Sequence, residues 1–239
     1  MTNKQRPDEL LAELAIVCRE LASEGHEDGN FAHLAARDPE GRGLWLKRSG
    51  VGLSEIDGPD DFVLLDFDGN QLEGSGGQHY EWPIHAEIMR SRPDAMATCH
   101  THELGIRLFA STSVPLQQLI PDSTAFVGGL PRFTATSGLI RTPELGQQLA
   151  TVLSDHPAVL MANHGAAVAG RSVVELGVLV MALTRAIEAQ LVMASTGWPV
   201  IEADISEADD KGRFAYSPDK MESHWSFYRR RDKRRRNPG

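Results

Sequence analysis

Cysteine is scarce: Cys18 and Cys99 are the only two in 239 residues. That is too few for a disulfide framework or a cysteine-rich zinc module, and it fits a reducing compartment. Long apolar runs are missing as well, none approaching the roughly 18 to 20 residues that span a bilayer. The opening MTNKQRPDELL lacks the basic-then-apolar order of a signal peptide, so the expectation is a cytoplasmic protein with no membrane partner. No internal repeat is visible. A basic surface is also lacking, since the net charge is −9. Residues 229–236, RRRDKRRR, hold seven bases and one acid, and the rest of the chain keeps 17 bases against 32 acids, a net of −15. Such a body repels a phosphate backbone, which sets nucleic acid aside as a partner. The basic run reads instead as a solvated, partly disordered tail or as a contact with an acidic neighbouring subunit. What remains is 41% apolar residues, enough for an ordinary globular interior, and nine histidines.

Periodicity predicts a first helix over residues 7–23, where Leu10, Leu11, Leu14, Val17, Cys18 and Leu21 recur at three- and four-residue spacing. Short β-rich segments follow at 31–36, 44–47 and 62–66, separated by the turn clusters DPEGRG and DFDGN. WPIHAEIMRS, 82–91, puts Pro83 in the first turn of a second helix that starts beside Glu81. MATCHTHELG reads as a strand. Thr142-Pro143-Glu144 opens a helix to about residue 154, AVLMA at 158–162 is a buried strand, and Ser172 to Glu175 is a capping box opening a helix to about residue 195. There is no regular βαβ period, which favours one α/β or α+β domain over a Rossmann fold. Residues 1–198 are expected to form the catalytic domain and 199–239 a C-terminal arm with a basic tail.

The chemistry centres on His100-Thr101-His102. On a strand, residues i and i+2 project to one face, so both imidazoles can converge on a divalent cation. An H-x-H alone fits core-satisfied histidines equally well. His164, in Asn163-His164-Gly165 at the end of a strand, strengthens the metal reading, and Gly165 permits close backbone approach. Glu81 and His85 stand four apart and share a face if the helix includes Glu81. The plain alternative is a helix-start glutamate with His85 as its surface neighbour.

EWPIHAEIMRSRPDAMATCHTH and, some sixty residues on, AVLMANHGAAVAGRS resemble the class II aldolase/adducin family in their ordered motifs E-W-P-x-H, R-P-D, H-T-H and N-H-G. DGNFAHLAARDP, which holds Asn30 and His33, is similar to that family's G-N-x-S-x-R segment, and DDFVLLDFDGN to its strand and turn after the substrate loop. The likeness runs from about residue 8 to 196. It implies a single-domain α/β/α sandwich around a mixed, largely antiparallel sheet, assembled as a homotetramer with active sites near subunit interfaces. It also implies one divalent metal ion per subunit, zinc, manganese, iron or cobalt, on His100, His102 and His164, with Glu81 as ligand or acid/base.

The departures carry as much. Where sugar-phosphate aldolases of the family hold phosphate with hydroxyls, this chain reads Lys47-Arg48-Ser49-Gly50 and His79-Tyr80. His33, Arg48 and Tyr80 resemble instead the branch that decarboxylates hydroxylated aromatic acids such as dihydroxyphthalates and hydroxypyridine dicarboxylates, because a guanidinium grips a carboxylate in a two-bond fork and Tyr or His meets a ring. The expected substrate-binding set is therefore Asn30, His33, Arg48, Ser49 and Tyr80. Glu81 is the expected proton donor, with His85 or a tyrosine in reserve. Trp225, Phe227 and Tyr228 of the arm either wall an apolar pocket, across a subunit boundary, or dock the arm onto its own core. The function expected is metal-dependent decarboxylation of such an acid. Aldol cleavage of a small or sugar-derived hydroxy-carbonyl compound is the alternative, with an iron-dependent oxygenase and an adducin-like scaffold behind it.

Overall fold

The computed structural model describes residues 6–237, so the first five residues of the segment read for targeting lie outside it. Helix α1 (Asp8–Leu21) buries Leu11, Leu14, Val17, Cys18 and Leu21 along one stripe and ends in a wider turn that reaches His26. Strands β1 (His33–Arg37), β2 (Leu44–Lys47), β3 (Phe62–Leu65) and β4 (Gln71–Glu73) form an antiparallel meander. Helix α2 (Trp82–Ser91) accepts Pro83 in its first turn, where no intrahelical N–H is needed. Strand β5 (Ala97–Thr101) and helix α3 (Leu104–Ala110) come next, then β6 (Arg132–Phe133), α4 (Pro143–Leu153), β7 (Ala158–Met161), β8 (Gly165–Gly170) and α5 (Val173–Thr196). Thr142 and Ser172 cap α4 and α5 by accepting from the N–H groups of Leu145 and Glu175. The Glu175 carboxylate turns to the Arg171 N–H at 2.6 Å, so the predicted box closes one residue early.

The eight strands lie in the order β4-β3-β2-β1-β5-β8-β7-β6, and only β6 and β7 run parallel. This is the mixed, largely antiparallel sheet between helical layers that the sequence implied. Alternation along the strands sorts the residues: Leu34, Ala36, Ala97 and Cys99 face the layer of α1, α3 and α5, whereas His33, Ala35, Thr98 and His100 face α2. Helix α5 is long and apolar enough by composition to cross a membrane, yet it is packed against β8, α1 and α3 as the central helix of its layer.

The C-terminal arm folds into α6 (Ile205–Ala215) and α7 (Pro218–Arg236), and α7 lies on α1 and α5. Trp225 is fully buried, its indole so close to Gly177 that a side chain there has no room, and Tyr228 is buried beside it. These two rings therefore dock the arm onto its own core, on the face of the sheet opposite His100, and only Phe227 remains half exposed. The basic run is not a loose tail either. Arg19 grips Asp232 through two bonds of 2.7 and 2.8 Å, Arg229 meets Glu13 at 2.9 Å, and Arg231 meets Glu20 and Glu24. The acidic neighbour that the run complements is α1 of the same chain.

His26 ties this layer together, with Nδ1 at 2.7 Å from Thr101 Oγ1 and Nε2 at 3.0 Å from Thr184 Oγ1. Burial pushes its pKa down to about 4. An unfolded histidine binds its proton near 6.5, so between about pH 6.5 and 4 the unfolded chain holds more protons and stability falls as pH falls. We expect His26→Gln to flatten the Tm-against-pH curve in that window relative to the wild type, and an unaltered slope would remove His26 as the cause.

Candidate metal centre

Strand β5 is antiparallel to β1 with His33 opposite His100, and to β8 with His100 opposite Ala167, which fixes His100 at the middle of the sheet. His102 lies one residue past β5, where Glu103 turns the chain into α3 by accepting from Gly105 and Ile106 N–H. The H-x-H pair is therefore split between strand and turn, yet the two Nε2 atoms stand 2.8 Å apart. His164 sits in the turn between β7 and β8. Asn163 before it adopts φ +57°, a left-handed conformation that asparagine tolerates, and at Gly165 after it a Cβ would lie 2.3 Å from the Thr101 carbonyl. Only glycine lets the two strands close enough to set His164 beside His102, their rings stacked at 5.1 Å.

Glu81 caps α2 from outside, with φ −96° and ψ 23°, rather than forming its first turn. Its Oε1 accepts the Ile140 N–H at 2.7 Å, and its Oε2 lies 3.6 Å from His100 Nε2 and 3.7 Å from His164 Nε2. One oxygen is thus anchored and the other is turned to the histidines. One donor atom from each of Glu81, His100, His102 and His164 falls within 4.8 Å of the rest. Burial by itself would raise the Glu81 carboxyl, but the nearby His100 and His164 and the Ile140 N–H outweigh it and hold the group below the usual carboxylate range. Burial pushes His102 down to about 3, chiefly by desolvation and then by His100 and His164, so it is a neutral donor at pH 7.

The donor set fits a divalent cation. His100 Nδ1 is 3.0 Å from the Ala166 carbonyl, which assigns the ring proton there and leaves Nε2 a lone pair. His102 Nδ1 likewise faces Asp28. The two Nε2 atoms meet across 2.8 Å beside the Glu81 carboxylate, close enough for one cation to take a lone pair from each.

The remaining residues divide. His33 is buried among His79, His85 and His100, with ring centroids 4.4, 4.9 and 5.1 Å away. His85 shares no helical face with Glu81 and is no surface neighbour: fully buried, it bridges His33 Nδ1 and Thr98 Oγ1 at 2.6 Å each. A cleft of about 320 Å³ opens beside the cluster, lined among others by Asn30, Phe31, Ser49, Gln78, His79 and Tyr80. Arg48 is not in its lining, because its Nε donates to Asp61 Oδ1 at 3.0 Å. Lys47 is fully buried and donates to the Val51 carbonyl. His79 is the residue that sequence reasoning passed over, naming it only as a replaced hydroxyl. It is buried, lines the cleft, and its Nε2 has no partner among the described residues. Its place two residues before Glu81, in the same turn, was the available signal.

Fold and cluster together define an α/β/α sandwich with a candidate divalent-metal centre at one end of its central strands. The chain belongs to the family described as Class II Aldolase and Adducin N-terminal domain, which matches residues 12–191. It is 27% identical over 216 residues to 3,4-dihydroxyphthalate decarboxylase from Arthrobacter keyseri, covering 83% of this chain and 86% of that one. It is also 27% identical over 198 residues to 5-methylthioribulose-1-phosphate/5-deoxyribulose-1-phosphate aldolase from Rhodospirillum rubrum, covering 82% and 84%. Among solved structures, an aldolase II superfamily protein from Pseudomonas syringae superposes with a TM-score of 0.88 at 22% identity, over 98% of this chain and 95% of that one.

We expect the His100→Ala, His102→Ala double variant to lose bound metal, read by metal analysis of purified protein, while its circular dichroism stays native, since an open metal site contributes less to folding than a closed structural one. Full occupancy in that variant would remove both histidines from the site.

Proposed function

We propose that this chain is a divalent-metal-dependent carbon–carbon lyase that decarboxylates a hydroxylated aromatic mono- or dicarboxylate. The observation that carries this reading is the lining of the cleft beside the histidines, which offers the rings of Phe31, His79 and Tyr80 and no lysine or arginine. Lys47 and Arg48 are turned to Val51 and Asp61. A flat ring finds apolar and polarisable surface in that lining, and its carboxylate and hydroxyl would lie toward the metal. The likeness to a dihydroxyphthalate decarboxylase supports the same reading.

Glu81, His100, His102 and His164 would hold the metal, which supplies a Lewis acid for the electron pair released when the carbon–carbon bond breaks. The protein's own part is the proton. Because Glu81 is held ionised, it starts as an acceptor: Oε2 takes the proton of a substrate hydroxyl, while Oε1 stays fixed by Ile140. The same proton then passes to the ring carbon that bears the carboxylate. Carbon dioxide leaves, its bonding electrons return to the ring, and the product oxygen regains a proton from water. Glu81 would thus act first as acceptor and then as the donor expected of it. His33, oriented through His85 and Thr98, and His79 would face the ring.

Aldol cleavage is the second reading, supported by the relative that acts on 5-methylthioribulose 1-phosphate and by the Ser49 hydroxyl in the cleft. The homotetramer belongs to the proposal too: Phe31 and Tyr80, 63% and 80% exposed at the rim of the cleft, are suited to cover by a neighbouring subunit.

The test is carbon dioxide release from a panel of ortho-hydroxy aromatic acids by the metal-loaded protein, set against aldehyde formation from ketose phosphates. Carbon dioxide is the expected product, and efficient aldehyde formation alone would install the aldolase. Glu81→Gln should lower turnover by about 10²- to 10⁴-fold with metal retained on the three histidines; unchanged turnover would remove Glu81 from the mechanism. His79→Ala should raise KM by about tenfold, the worth of one hydrogen bond in a buried setting, with kcat little changed. An unmoved KM would take His79 out of substrate recognition.

A further inference from the structure

The three imidazoles of the cluster differ in what lies behind them. His100 has the Ala166 carbonyl at 3.0 Å, a partner built into the β5–β8 ladder. His164 Nδ1 is buried without a partner. His102 has left the strand, so no ladder carbonyl serves it, and its Nδ1 instead faces Asp28 Oδ2 at 3.3 Å. We propose that Asp28 is a positioning residue of the metal centre: its carboxylate accepts the Nδ1 proton of His102 and aims an unprotonated Nε2 at the cluster. The inference rests on the metal-centre reading above. A carboxylate behind a ligating imidazole fixes the tautomer, holds the ring plane and makes the facing nitrogen a stronger donor.

The surroundings of Asp28 fit this task. Among the described residues its carboxylate makes no second ion pair or hydrogen bond. The backbone that presents it is pinned on both sides. Phe31 N–H donates to the Asp28 carbonyl at 3.0 Å, and the carboxylate of Glu27 accepts from Ser54 N–H at 3.0 Å and Ser54 Oγ at 2.7 Å. The turn is thus fixed without help from the Asp28 side chain. That side chain is 41% exposed, and an ion pair so open to water adds little to folding, about 0 to 1 kcal/mol. Asn30 and Phe31 of the same turn line the substrate cleft, so one loop sets both a metal ligand and the cleft wall.

The test is zinc affinity of the full-length metal-free protein, measured by competition with a chromophoric chelator, together with the Tm of the same metal-free samples. Asp28→Ala should weaken zinc binding by about 10- to 100-fold while leaving Tm in place. Asp28→Asn, which keeps an acceptor oxygen but not the charge, should fall between the two. His102→Ala serves as the reference. If His102→Ala weakens zinc binding and Asp28→Ala does not, Asp28 has no positioning role and the metal centre stands. If neither variant weakens it, the metal centre itself is refuted. A loss of affinity in Asp28→Ala that tracks a fall in Tm would also overturn the proposal, by making Asp28 a merely structural residue.

Discussion

Glu81 is only 6% exposed, and an ionised carboxylate in such a place costs several kcal/mol unless its charge is met. Much of the architecture around it can be traced to that constraint. Oε1 is satisfied by Ile140 N–H, a residue 59 positions along, so the segment before α4 must fold across the start of α2. Oε2 has only imidazoles for company, and those rings are buried among one another. A cation at their meeting point would convert a costly burial into a mutual one: the carboxylate would gain a counter-charge, and the histidine lone pairs a common acceptor.

The sheet keeps this chemistry apart from the machinery of stability. Alternation on β1 and β5 sends His33, Thr98 and His100 to the α2 side, where His85 and His79 extend the histidine cluster. Burial holds His33 and His85 well below the usual histidine range, so that cluster can orient a substrate or pass a hydrogen bond without carrying charge. On the other side, α1, α5 and α7 form an apolar core closed by Trp225 and laced by arginine–carboxylate pairs. Changes in the arm are thereby directed at stability, and changes on the α2 side at chemistry.

Much of the fold was legible because local signals agreed with tertiary ones: Pro83 and the Ser172 cap begin helices, and the short β-rich segments are strands. The four candidate metal donors were legible as motifs, while their convergence depends on Gly165 and on the left-handed Asn163, whose effect appears only when β8 lies against β5. What escaped were the long-range pairings. Nothing local in RRRDKRRR says that its partners are Glu13, Glu20 and Glu24, some two hundred residues earlier. Arg48 looked like a free anion clamp because Asp61, its partner, lies thirteen residues away across a loop. Glu81 and His85 looked like a helical pair because their spacing of four hides the fact that Glu81 stands just outside the helix. Asp28 carried no pattern at all, and His79 only its place two residues before Glu81; each acquires meaning from a neighbour brought in by folding.

Whether the four side chains share one cation is read directly by X-ray absorption at the zinc edge. With one equivalent of zinc added to the full chain, the account predicts nitrogen and oxygen scatterers at about 2.0 to 2.2 Å and the multiple-scattering pattern of three imidazoles. Zinc bound with one imidazole or none, or zinc that stays fully hydrated, would contradict it.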